Sequence, residues 1–273
     1  MRRLLHELRL FLIALQFFTR VPIPAWVGFE PAWLQQCARY FPAVGAVVGL
    51  FSAGVFGLAL FLFPSTIAAL LAIASSVWLT GGFHEDGWAD TCDGLGGAVS
   101  REKALLIMKD SRLGSYGALG LILLLGLKAA TLAALAEHAP LLAVLLLFWG
   151  HMASRLAPLL LMRTLPYAGD AEHAKAKPLA TQIGGASLAA AALMAVTLTL
   201  PLLCGPWPLR DLLLMIGTQL GVAALVLLWM HRWLRRRLGG YTGDNLGASQ
   251  QLSELALLLA ALALLPHLGP AGA

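Results

Sequence analysis

Seven apolar blocks, at 42–63, 65–82, 117–136, 141–162, 184–203, 211–230 and 253–268, restrict this chain more than any other feature. The hydrocarbon core of a bilayer is about 30 Å thick, and a helix needs about 20 apolar residues to cross it. Within that layer every backbone N–H and C=O must be paired inside the chain, which leaves helices and closed barrels. Blocks of this length lack the strict alternation of barrel strands and predict helices. The expected architecture is therefore all-α: a polytopic integral membrane helix bundle of about seven transmembrane helices. Only 12% of the residues are charged, about half the share in soluble domains. Residues 1–273 read as a single transmembrane domain whose polar loops must carry any chemistry.

The first apolar stretch, Leu10 to Phe18, is too short to cross alone. With Arg2, Arg3, Arg9 and Arg20 around it, it predicts an N-terminal interfacial or re-entrant amphipathic helix. A cleaved signal peptide is the alternative, but Thr19-Arg20-Val21-Pro22 offers no small-x-small cleavage site. Charge then orients the spans. Sixteen of the nineteen Lys and Arg residues fall in 1–41, 83–116, 163–183 and 231–252. The opposite loops hold only Arg210, and Lys128 and Arg155 fall inside spans, Lys128 with no role assigned. The positive-inside rule places the basic loops in the cytoplasm. The net charge of +5 is thereby read as topogenic, and no nucleic-acid partner is expected. The cluster from His231 to Arg237 reads as a flank meeting anionic headgroups, with phosphate binding as the alternative. Cys37, Cys92 and Cys204 show no CxxC spacing, so neither a disulfide nor a zinc site is expected.

Against this background the segment 81–97, GGFHEDGWADTCDGLGG, stands out, because it holds four of the fourteen acidic residues. Asp86, Asp90 and Asp93 follow one another at i, i+4 and i+7. On a helix these positions lie within about 60° of each other and share one face. Like charges so close repel unless a cation holds them, and carboxylate oxygens select hard ions such as Mg²⁺, Ca²⁺ or Mn²⁺. A solvated acidic turn among glycines is the plain alternative. Glu85, about 100° from Asp86, points away from this face.

Other polar groups accompany it. Asp110 and Arg112 form an acid–base pair at a loop-to-helix junction, where a surface salt bridge is the ordinary outcome. Arg155, preceded by Ser154, must snorkel, pair with an acid or face a wet cavity. The turn 239–249 is glycine-rich and carries Thr242, Asp244 and Asn245 just before the last apolar block. His84 is a candidate ligand or base, although Mg²⁺ does not favour imidazole. Residues 167–181, with His173, Lys175 and Lys177, read as a loop able to cover a large substrate. No acid falls inside an apolar block; Glu254 and Asp211 sit at block ends.

Asp90-x-x-Asp93-Gly94 with Asp110 resembles part of the CDP-alcohol phosphotransferase signature, but Gly114 stands where its last aspartate would fall. A fuller resemblance covers about residues 10–260. The segment 79–94, LTGGFHEDGWADTCDG, the run Ile107 to Gly114, and Gly239 to Ala248 are together similar to the cobalamin synthase (adenosylcobinamide-GDP ribazoletransferase) family. Phe17-Phe18-Thr19-Arg20-Val21-Pro22-Ile23-Pro24 and Phe41-Pro42 are similar to the same family, which usually has an apolar residue at the position of Glu85.

The resemblance implies a Mg-dependent phosphotransferase in a bacterial inner membrane, multi-pass, with its active site facing the cytoplasm. Its substrates would be adenosylcobinamide-GDP and α-ribazole or α-ribazole 5′-phosphate. The lipid bilayer would surround it, and a second copy or other corrin-pathway enzymes would be candidate associates. Asp86, Asp90, Asp93 and Asp110 would be catalytic and would hold the metal, two Mg²⁺ ions with Mn²⁺ as a substitute. Gly94, Lys109, Arg112, Ser154, Arg155, Thr242, Asp244 and Asn245 would bind substrate. For the general base, Asp86 is the first candidate and Asp244 the second. A lipid CDP-alcohol phosphotransferase and a divalent-cation transporter are the alternative functions.

Overall fold

The computed structural model describes residues 2–169, 181–200, 202 and 206–268. Among them every regular element is helical, apart from one isolated bridge between Tyr167 and Tyr241. In chain order the helices are α1 (Arg2–Phe18), α2 (Pro31–Cys37), α3 (Phe41–Leu62), α4 (Ser65–Thr80), α5 (Phe83–Gly97) and α6 (Arg101–Met108). They continue with α7 (Ser115–His138), α8 (Pro140–Ala153), α9 (Leu156–Thr164), α10 (Gly185–Thr199), α11 (Leu209–Leu238) and α12 (Gly243–Leu264). All seven predicted blocks fall on helices. Five stretches are long and apolar enough to cross a bilayer: Pro31–Leu62, Ser115–His138, Pro140–Thr164, Leu209–Leu238 and Gly243–His267. A sixth forms if α4 and α5, bent by 92°, count as one. The block at 184–203 becomes the 15-residue α10, about 22 Å long at 1.5 Å per residue and short of a full crossing.

α1 buries Leu10, Ile13, Ala14 and Phe18 along one stripe, as an amphipathic helix lying against a bundle should. Its Glu7 accepts a 2.7 Å hydrogen bond from the Tyr40 hydroxyl, which ties it to the start of α3. α3 and α8 are in close contact because Gly45 and Gly49 present no side chain. A Cβ at Gly45 would collide with the carbonyl oxygen of His151, and one at Gly49 would lie 2.6 Å from that of Phe148. Small residues four apart are the usual means of bringing membrane helices together.

The acidic segment takes its helical reading and not the glycine-turn alternative, whereas one segment predicted as a loop is a helix instead. After α4 the chain turns through Gly81 and Gly82, both left-handed with φ of 72° and 73°, a conformation that only glycine adopts without cost. It then enters α5, the helix on which the spacing of Asp86, Asp90 and Asp93 rests. Four of α5's fifteen residues are glycines, each costing about 0.5–1 kcal/mol in a helix interior relative to Ala. Neighbours therefore hold α5 together: it packs against α6, α7 and α12. The correction concerns 231–252. α11 runs on to Leu238, and α12 begins at Gly243 with a polar half that is buried, including Asn245, Gln250, Gln251 and Glu254. Glu254 thus lies midway along a membrane-length helix and not at its end.

Candidate active site

The α5 carboxylates pass from solvent into the bundle. Asp86 is exposed, Asp90 half-buried and Asp93 buried. Asp93 is fully engaged: Oδ2 accepts from Gly114 N and Oδ1 from Gly117 N, both at 2.8 Å. These N–H groups open α7, whose own N-cap position, Gly114, has no side chain to offer. Asp93 therefore caps α7 from a neighbouring helix, and its negative charge sits at the positive end of the α7 dipole. A Cβ at Gly114 or Gly117 would overlap the Asp93 carboxylate. The missing signature aspartate at Gly114 has a physical reason: the carboxylate of Asp93 occupies that space.

Asp93→Ala is expected to remove both bonds and lower stability by about 2–4 kcal/mol, read as a fall in Tm. An unchanged Tm would mean that the cap contributes nothing.

α12 approaches α5 equally closely. A Cβ at Gly87 would lie 2.7 Å from the carbonyl oxygen of Asp244, so the Gly87 surface of α5 touches the first turn of α12. Thr242 and Asn245 form a capping box there: Thr242 N donates to Asn245 Oδ1 at 2.9 Å, and Asn245 N donates to Thr242 Oγ1 at 3.4 Å. Asn245 Nδ2 also donates to Thr91 Oγ1 on α5 at 3.0 Å. Both residues are buried in these contacts. Asp244, half-buried on the same first turn, is brought beside α5 as expected. Gly94 packs against α6. A Cβ there would meet Met108 at 2.6 Å and the Ala104 carbonyl at 3.0 Å, so its space is filled by α6 and not open to a phosphate.

Asp110 and Arg112 sit in the turn between α6 and α7. Arg112 donates from Nε and Nη2 to both Asp110 oxygens, at 2.6 to 3.1 Å. The bidentate pairing holds the Arg112 guanidinium above its already high usual pKa. Lys109 is exposed just before them. Ser154 and Arg155 lie elsewhere. They form the break between α8 and α9, are 2% and 3% exposed, and face the interior. Arg155 interacts electrostatically with Glu85 on α5 and with Glu254 on α12. His84 is buried and stacks on Phe18, with ring centroids 5.6 Å apart. His173, Lys175 and Lys177 lie outside the described residues.

The expected cage of four aspartates is not assembled. Among the described residues, no three His, Cys, Asp or Glu side chains converge closely enough to hold a metal ion. Asp93 faces α7 and Asp110 faces Arg112. The donor chemistry of Asp86 and Asp90, two carboxylates one turn apart on α5, still suits a hard divalent cation.

Sequence reasoning missed a polar network inside the bundle. Lys128 Nζ lies 2.9 Å from Glu254 Oε1 and donates to Gln251 Oε1 at 2.9 Å. His151 Nδ1 lies 3.0 Å from Glu254 Oε2. Both contacts to Glu254 have ion-pair distances without hydrogen-bond alignment, so they count as electrostatic contacts. Part of the signal was available: a lysine within an apolar run needs an acid, and Glu254 lies within a predicted apolar block, at its end.

Fold and site together define a class, a multi-pass membrane protein whose carboxylate chemistry gathers where α5 meets the first turns of α7 and α12. The chain belongs to the cobalamin-5-phosphate synthase family, whose model matches residues 10–262. An adenosylcobinamide-GDP ribazoletransferase of Leptothrix cholodnii is 57% identical over 265 residues, covering 96% of this chain and 98% of that protein. Proteins of the same name from Shewanella frigidimarina and Vibrio cholerae are 43% and 40% identical. They share 95% and 96% of this chain and 96% of each relative. No solved structure matches.

Proposed function

We propose that the chain carries out the reaction its relatives are named for, as a phosphoryl transfer at the α5 face. The ribose 3′-hydroxyl of α-ribazole, or of α-ribazole 5′-phosphate, attacks the phosphorus that bears the cobinamide arm of adenosylcobinamide-GDP. A new P–O bond forms, the bond to the bridging oxygen of the diphosphate breaks, and GMP leaves. The hydroxyl proton passes to a carboxylate, and adenosylcobalamin or its 5′-phosphate remains. Such chemistry requires positioning and charge neutralisation and little covalent help from protein.

This chain's residues match those needs. Asp86 and Asp90 would hold Mg²⁺, with Mn²⁺ as a substitute. When bound, the metal supplies Lewis-acid neutralisation of the diphosphate. Asp244, brought against α5 at Gly87, accepts the proton. Arg112, exposed on its turn with Asp110 orienting it, clamps the departing nucleotide through its planar fork. Lys109 beside it adds positive charge. The bias of Lys and Arg to these loops supports a cytoplasmic orientation of this face in a bacterial inner membrane.

The observation that carries the reading is the carboxylate face of α5 meeting Asp244 in a chain of this family. The test incubates purified protein with adenosylcobinamide-GDP plus α-ribazole, and separately with CDP-diacylglycerol plus small alcohols. GMP and adenosylcobalamin are expected from the first mixture and nothing from the second. The reverse outcome would move the chain to lipid metabolism.

A further inference from the structure

α5 is glycine-rich and intrinsically weak, so its pose must be imposed by contacts. From below, that contact is the buried network on α12. Gln251 Nε2 donates to Glu85 Oε1 on α5 at 2.8 Å and to Gln250 Oε1 at 3.0 Å. Gln251 Oε1 in turn accepts from Lys128 on α7. Gln250 Nε2 donates to Glu254 Oε2 at 2.6 Å and to Ser154 Oγ at 2.9 Å. Lys128 and Glu254 are 2% and 0% exposed. The network therefore runs from α7 and α8 through α12 to the residue next to Asp86.

Stability does not explain it. A buried ion pair is often no better than apolar residues of the same volume, because desolvation offsets the attraction. This network is also incompletely satisfied: Glu85 Oε2 and Arg155 Nε are buried with no hydrogen-bond partner among the described residues. A half-satisfied buried network costs stability. What such a network does provide is one discrete arrangement of the helices it joins.

We infer that Lys128, Glu254 and Gln251 are positioning residues, which hold α5 through Glu85 so that Asp86 and Asp90 meet the substrate diphosphate. The inference rests on the transfer reaction proposed above. Gln251→Met cuts Glu85 from the network and leaves the Lys128–Glu254 pair in place. Lys128→Met/Glu254→Gln removes the pair while preserving charge balance. Both are expected to lower kcat by at least about tenfold with KM changed less than about threefold, the signature of misplacement and not of lost binding. An activity-independent reading comes from Cys92 on α5, half-buried, in a Cys37→Ala/Cys204→Ser background. Maleimide labelling of Cys92 is expected to accelerate in Gln251→Met.

Wild-type kcat and wild-type labelling in Gln251→Met would overturn the inference. So would wild-type kcat in the double variant, which would reduce the network to charge balance. If wild-type protein shows no transfer but Cys92 labelling still responds, the proposed reaction fails and the positioning stands.

Discussion

Asp90→Asn is expected to lower turnover by about a thousandfold or more, while the protein inserts, purifies and melts as the wild type does. Asparagine keeps the shape and one acceptor oxygen of aspartate but removes the negative charge. A thousandfold is about 4 kcal/mol of transition-state stabilisation, within what loss of a metal-holding carboxylate removes from phosphoryl transfer. The fold should tolerate the change because other contacts hold α5. Asp93 caps α7, Asn245 bonds Thr91, and Gly87 lies against Asp244. Asp93→Ala should show the opposite pattern, with stability lost first. Measured together, kcat and Tm separate the two aspartates. Full activity in Asp90→Asn would remove the metal-holding role.

The second large effect is expected from Lys128→Met. The substitution is similar in volume but leaves Glu254 without its lysine, fully buried on α12. Breaking one side of a buried pair typically costs about 3–5 kcal/mol. For a chain of this length that corresponds to a fall in Tm on the order of 10 °C. Thermal melts of the purified single and Lys128→Met/Glu254→Gln double variants test it, with most of the lost stability returning in the double. A single variant that melts with the wild type would mean that the pair is not formed.

Much of the frame was readable in the residues, and the failures have a common cause. Apolar blocks announce membrane helices because hydrocarbon tolerates little else, and all seven blocks fall on helices. The helix of α5 was legible in the spacing of its acids, but the use of its glycines was not: they admit the carbonyl of Asp244, the side chain of Met108 and the ring of Tyr116. The first half of α12 was hidden by its polarity, since Asn245, Gln250, Gln251 and Glu254 bond one another and neighbouring side chains inside the bundle. The shared face of Asp86, Asp90 and Asp93 followed from helical spacing. That Asp93 turns to cap α7 did not, because the partner N–H groups lie 21 and 24 residues away. The same holds for Arg155, for which pairing, snorkelling and a wet cavity were all open until α8 was seen to break beside it.

The most direct test of the account labels the ribose 3′-hydroxyl of α-ribazole with oxygen-18 and follows both products of wild-type protein in a lipid nanodisc. Attack by that hydroxyl on the cobinamide-bearing phosphorus predicts that the label appears in the phosphodiester of adenosylcobalamin and is absent from GMP, with no product from Asp90→Asn. Label in GMP, unlabelled adenosylcobalamin, or no cobalamin from the wild type would contradict it.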